Sequence, residues 1–219
     1  MTDLIEEIYT RLRNEFGYRH WWPAATQEEV IIGAILTQSV SWKNVKKAIS
    51  NLKENGLLTL KAIHEAASND IAPLIKSTRF YNQKVKKLKS FTEFLFDRYQ
   101  GSLDAMFSRS LADLRDELLS INGLGEETVD SILLYVGNKG VFVIDAYTKR
   151  VFSRLGIIDE KMSYKECQDF FMRNLDPDTK LYNDYHAQIV YLGHHYCKKN
   201  DPECGKCPLK QLCRFYNNS

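Results

Sequence analysis

The chain has 219 residues, of which 44% are hydrophobic and 12% aromatic, and a net charge of +2. This composition excludes a disordered chain and allows a core shared by one or two domains. Overall charge so close to balance would not announce a polyanion binder, so such recognition would have to come from local basic stretches.

The elements read almost entirely as helix. "MTDLIEEIYT" is amphipathic and acidic, with no apolar signal region. No apolar stretch is long enough to span a bilayer. We therefore expect a soluble, intracellular chain, whose five cysteines are reduced and serve as ligands or core residues. "TQEEVIIGAILTQ" opens with Thr26 and Glu29 at capping-box spacing, and apolar positions 30, 31, 34 and 35 follow at helical period. A helix from Ser41 stops near Gly56, and shorter helices are expected near 59–67 and 69–76. "NQKVKKLKSFTEFLFDRYQG" predicts a long helix ended by Gly101. Its lysines 84, 86, 87 and 89 read most simply as a solvated face, as do the basic residues after Cys197. "SLADLRDELLSI" and "EETVDSILLYVG" flank a double glycine, and helices near 145–155, 163–174 and 179–197 complete the chain. "VFVI" at 141–144 is the best strand candidate, though too short to build a sheet alone.

Four cysteines carry the strongest chemical signal. Cys197, Cys204, Cys207 and Cys213 are spaced C-x6-C-x2-C-x5-C, and Pro202, Gly205 and Pro208 suit a loop wrapped around one centre. All-thiolate sets select an iron–sulfur cluster or zinc. Cys167 lies outside the set and reads as a buried helix residue. The second signal is Gly123-Leu124-Gly125 between two helices. Glycine there permits positive φ and close backbone approach, and the next helix N-terminus can receive a phosphate. A GxG turn alone is a weak motif and many helix turns use one. The third signal is Asp145 after "VFVI", where a carboxylate either caps the following helix or does chemistry.

Together, "GLGEETVDSILLYV", "VIDAYTKR" and the cysteine loop resemble the helix-hairpin-helix DNA glycosylase superfamily, endonuclease III-like, and the resemblance covers most of the chain. It implies an all-α, two-lobed fold with a C-terminal [4Fe–4S] loop. One lobe would be a helical bundle over 24–137, with the hairpin at about 111–137. The other would join 1–23 to 138–219 and carry the cluster. The resemblance implies that Gly123, Leu124 and Gly125 grip a DNA phosphate, that Gln38 fills the gap left by an extruded base, and that Asp145 is catalytic at the sugar. It also implies duplex DNA with a damaged base as partner, and we expect a monomer with no membrane association.

"HWWPA", "GAILTQSVSWKNV" and "FYNQKVKKL" are similar to the 3-methyladenine DNA glycosylase branch. The base pocket it implies is aromatic, at Trp21, Trp22, Pro23 and Trp42. Electron-rich indole faces attract a cationic base, although large aromatics also serve as core or interface anchors. The chain departs from strand-cleaving members at Glu127, where they carry a lysine, and a glutamate cannot form a Schiff base. Lys139 and Lys149 are nearby amines in sequence. His186, His194 and His195 read as structural. The expectation is thus a monofunctional glycosylase for alkylated purines. A pyrimidine-damage or mismatch glycosylase, and a non-catalytic DNA-binding module, are the alternatives.

Overall fold

The computed structural model describes residues 1–218. Its helices are α1 (Thr2–Phe16), α2 (Gln27–Leu36), α3 (Trp42–Glu54), α4 (Leu60–Glu65), α5 (Ser68–Leu74), α6 (Tyr81–Tyr99), α7 (Leu103–Phe107), α8 (Leu111–Leu119) and α9 (Glu126–Tyr135). The chain continues through α10 (Ala146–Leu155), α11 (Tyr164–Asn174), α12 (Thr179–His195) and α13 (Arg214–Asn217). The fold is all-α, with no strand among the described residues. The chain forms two compact units, one of Trp22–Gly137 and one of Met1–Trp21 with the chain from Asn138 on.

In the Trp22–Gly137 unit, α2 is the centre. Every residue from Val30 to Leu36 is buried, so this helix is enclosed on all sides, with α3, α6 and α9 packed against it. Thr26 caps α2 by accepting from the Glu29 amide at 3.1 Å. The expected capping box is only half made, because the Glu29 carboxylate accepts from Ala25 N at 3.0 Å rather than from the cap residue.

The lysines of α6 correct the solvated-face reading. Lys84 is buried, and its Nζ donates to the carbonyls of Leu36 (2.8 Å) and Thr78 (2.5 Å). Lys89 Nζ donates to Ile63, His64 and Ala66 carbonyls at 3.2, 2.6 and 3.0 Å. Lys87 is half-buried and bonds to Gln38, while Lys86 is exposed. The physical reason is that α2 and α4 end facing α6. Their last carbonyls have no intrahelical donor, and a long ammonium side chain supplies one.

The other unit is built on α1, α10 and α12, with α10 and α1 each against α12. Its core is aromatic: Phe142 stacks on Phe171 at 4.5 Å, and Phe152 and Tyr182 meet this pair edge-on. Tyr185 OH donates to Ile5 O at 2.8 Å, tying α12 to α1. Ser163 and Glu166 form a complete capping box on α11. Val141–Ile144 is not a strand. All four side chains are buried, and side chains replace a ladder: Gln168 Nε2 donates to Phe142 O at 2.7 Å, and Ile144 N donates to Tyr164 OH at 3.3 Å. Cys167 is fully buried on α11.

Candidate functional site

The turn between α8 and α9 gives its two glycines different jobs. Gly123 has φ +88°, in the left-handed region, and a Cβ there would come within 2.8 Å of the Lys87 side chain. The chain's own geometry demands glycine at this position. Gly125 has φ −100°, and a Cβ on it would meet nothing within 4 Å. Neither backbone nor packing requires glycine there. Gly125 is also the N-cap of α9, so no side chain caps the first-turn amides. Leu124 is buried beneath the turn, and its amide donates to Ile121 O at 3.1 Å. Behind the hairpin, Arg115 grips the buried Asp130 through two hydrogen bonds of 2.7 and 3.0 Å, locking α8 to α9.

Gln38 lies just past the end of α2. Its Nε2 donates to Thr128 Oγ1, in the first turn of α9, at 2.8 Å, and its Oε1 accepts from Lys87 Nζ. Gln38 is therefore held against the hairpin helix in this structure. Burial lowers the pKa of Lys87.

Trp22, Pro23 and Trp42 come together, and Trp21 is half-buried. Trp22 packs edge-on against Trp42 at 5.3 Å and Tyr135 at 5.5 Å. Trp22, Pro23, Gly33 and Trp42 line a cavity of about 220 Å³ with Glu29 and Lys46 at its polar side and Ile49 and Ser50 completing it. Trp22 and Trp42 are both half-buried rather than enclosed in the core. A larger hollow of about 430 Å³ lies between the start of α2 and Gly101–Asp104, but no aromatic face lines it. The tryptophan cavity is the one with a surface suited to a flat ring.

Asp145 is the N-cap of α10. Its Oδ1 accepts from Thr148 N at 2.7 Å and from Thr148 Oγ1 at 2.8 Å. Its other oxygen, Oδ2, lies 3.7 Å from His186 Nε2. Burial lowers the His186 pKa, and the Asp145 charge partly opposes that. From the sequence His186 reads as a structural residue. A signal for it existed: Tyr182, Tyr185, His186 and Ile189 recur at helical spacing, so the imidazole sits on the buried stripe of α12. Glu127 is exposed on the first turn of α9. Lys149 donates to Met162 O at 2.5 Å.

Cys197, Cys204, Cys207 and Cys213 are all part-exposed and free of disulfides. Short turns carry the loop, with amide-to-carbonyl bonds from Cys207 to Cys204 and from Cys213 to Lys210. Burial pushes the Cys204 thiol up, and Cys213 and Cys197 add to it. Cys207 is pushed up to about 11 by burial first, with all three other thiols contributing. Cys204 and Cys207 thus feel the charge of the neighbouring sulfurs, and a polycationic guest would relieve that repulsion. Arg154 Nη1 approaches Cys197 Sγ at 3.4 Å, and Arg150 Nε donates to Cys197 O at 2.8 Å. Among the described residues no three His, Cys, Asp or Glu groups are gathered tightly enough for a single ion. The all-thiolate donor set weighs more heavily, because a four-iron cube is bulkier than one ion and its ligands stand farther apart.

An enclosed central helix, a glycine hairpin with uncapped amides and an aspartate that caps α10 define a helix-hairpin-helix protein. Residues 32–177 match the HhH-GPD superfamily of base excision DNA repair proteins, and the chain belongs to that family. A Methanocaldococcus jannaschii protein, provisionally named a DNA repair glycosylase, is 46% identical over 212 residues, covering 96% of each chain. The structure of the Helicobacter pylori 3-methyladenine DNA glycosylase bound to 1,N6-ethenoadenine is similar at a TM-score of 0.76 and 27% identity, over 86% of this chain and 96% of that one. A trapped endonuclease III–DNA covalent intermediate has the same fold, with a TM-score of 0.85 at 21% identity, over 100% of this chain and 98% of that one. No helix among the described residues is long and apolar enough to cross a membrane.

Proposed function

We propose that this base excision repair protein is a monofunctional DNA glycosylase that hydrolyses the N-glycosidic bond of alkylated purines of the 3-methyladenine type in duplex DNA. The observation that carries the substrate reading is the Trp22–Trp42 cavity, whose lining presents two indoles at right angles. An alkylated purine of this type is cationic. Indole faces attract a cation by roughly 0.5–2 kcal/mol per contact, while the opposite charges of Glu29 and Lys46 on the same lining offset each other. Similarity to the Helicobacter pylori 3-methyladenine enzyme supports the same reading.

A base in the stack is out of reach, so the nucleotide must be extruded at a cost of a few kcal/mol. The Gly125 turn would hold a phosphate on the first-turn amides of α9, giving a grip indifferent to sequence. Gln38 would fill the vacated place in the duplex. As the C1′–N bond breaks, its electron pair leaves on the base, which departs neutral. Asp145 Oδ2 would stabilise the electron-deficient sugar and take the proton of the water that adds at C1′. Glu127 on the first turn of α9 cannot form an imine, and Lys149 is engaged with the Met162 carbonyl, so an intact abasic site should remain.

Cys197, Cys204, Cys207 and Cys213 would hold a [4Fe–4S] cluster. When bound, such a cluster supplies a rigid, charged knot that fixes the loop. The basic residues Lys198, Lys206 and Lys210 sit on that loop, and Arg150 and Arg154 brace it from α10. We take the active species to be a monomer.

The experiment has two arms, one on a variant and one on the parent protein. Asp145→Asn should lose base release by orders of magnitude while still binding lesion duplex. Borohydride should trap no covalent protein–DNA adduct with the parent protein. An adduct formed in high yield would overturn the monofunctional assignment, and a fully active Asp145→Asn would overturn the catalytic one.

A further inference from the structure

We propose that His186 is a positioning residue for base release: its Nε2–H aims the Oδ2 oxygen of Asp145 at the reacting sugar. The inference rests on the reading of Asp145 as the catalytic carboxylate.

The two oxygens of Asp145 are not equivalent. Oδ1 is held by both donors of Thr148, the amide at 2.7 Å and the hydroxyl at 2.8 Å. Thr148 is fully buried, so this anchor does not move. Oδ2 is left to face the chemistry, and the group 3.7 Å from it is His186 Nε2. That separation is longer than a hydrogen bond. Catalytic contacts are often long without substrate and tighten in the productive complex.

His186 belongs to the buried stripe of α12 with Tyr182, Tyr185 and Ile189, where an apolar side chain would avoid the cost of burying a polar ring. The ring also has a suitable charge. Desolvation favours its neutral form, although Asp145 opposes this in part. A neutral donor orients the carboxylate and leaves its negative charge intact for the electron-deficient sugar. An imidazolium would cancel that charge. Asp145 would thus be fixed from both sides, by Thr148 at one oxygen and His186 at the other, as a carboxylate must be if it is to stabilise a transition state without reorganising.

The test is atom-specific. A glutamine amide nitrogen can stand near the place of Nε2, an asparagine amide reaches only as far as Nδ1, and a leucine has no donor. Single-turnover release of 3-methyladenine from a single-lesion duplex should stay within a few-fold of the parent in His186→Gln. It should fall about 10²-fold in His186→Leu and His186→Asn, the scale expected of a misplaced catalytic group. Affinity for the lesion duplex should hold in all three. If His186→Leu fails to fold, the Gln and Asn variants carry the comparison. Equal losses in Gln and Asn would mean a structural ring and would overturn the proposal. A parental rate in His186→Leu beside an inactive Asp145→Asn would overturn it too, leaving the reading of Asp145 standing. An active Asp145→Asn would instead remove that reading itself.

Discussion

The ammonium of Lys84 is buried against the last turn of α2, 2.8 Å from the carbonyl oxygen of Leu36. It therefore holds the end of the central helix two residues before Gln38. Burial, and then the charge of Lys87, pull the Lys84 pKa down from 10.5 to about 8. Between those values the unfolded chain binds more protons than the folded one, so this group makes stability rise with pH across that window. Lys84→Met should flatten the rise, leaving the smaller share that Lys87 contributes. It should also cost about 1–3 kcal/mol at neutral pH, because two buried carbonyls lose their donor. Denaturant unfolding of both proteins at steps across the window decides the matter, and parallel pH profiles would refute the account.

The hairpin glycines should separate cleanly. Gly123→Ala forces a side chain into positive φ and into Lys87, and should cost at least ~1–2 kcal/mol of stability. Gly125→Ala meets open space and should change stability by no more than ~0.5 kcal/mol. Its cost should appear in affinity for duplex DNA, equally for damaged and undamaged sequences at fixed salt. Unchanged affinity in Gly125→Ala would remove the phosphate from this turn.

Trp42→Ala should strongly impair release of 3-methyladenine, and Trp42→Phe should keep much of it, since a weaker ring face remains. Trp42 is half-buried, so its truncation also costs stability, and the loss of release should exceed what that cost explains. Melting temperatures measured alongside the rates make the distinction. If Phe and Ala behave alike, the ring face is not used.

Metal and acid-labile sulfide analysis of anaerobically purified protein should give iron and sulfide near four each per chain. Cys204→Ala should lose both and weaken DNA binding, as the loop would no longer hold Lys206 and Lys210 in place. Stoichiometric zinc without sulfide would contradict the cluster.

Helices were legible in the sequence because their apolar residues keep a 3.6-residue period and their caps are local. Thr26, Ser110 and Ser163 all cap as their residue type dictates. Asp145 was also legible as a cap, which is why its second oxygen needed the structure to be noticed. The lysines of α6 were not legible. Nothing local distinguishes Lys84, whose partners lie 48 and 6 residues away, from the exposed Lys86. Nor does a glycine announce whether its own backbone needs it, as Gly123 does, or whether an outside group would, as at Gly125. "VFVI" misled because buried β-branched residues usually mean a sheet, whereas here Gln168 and Tyr164 take the place of neighbouring strands. The pairing of His186 with Asp145 spans 41 residues of sequence and depends wholly on how α10 and α12 pack.

Release of free bases from a panel of single-lesion duplexes tests the central claim most directly. One preparation should be given 3-methyladenine, thymine glycol opposite adenine, and thymine opposite guanine. A pocket walled by two indoles should release the cationic purine fastest and leave the neutral pyrimidines nearly untouched, with the abasic strand intact afterwards. If thymine glycol is released fastest, the alkylated-purine assignment is wrong and the Trp22–Trp42 pair serves the fold instead.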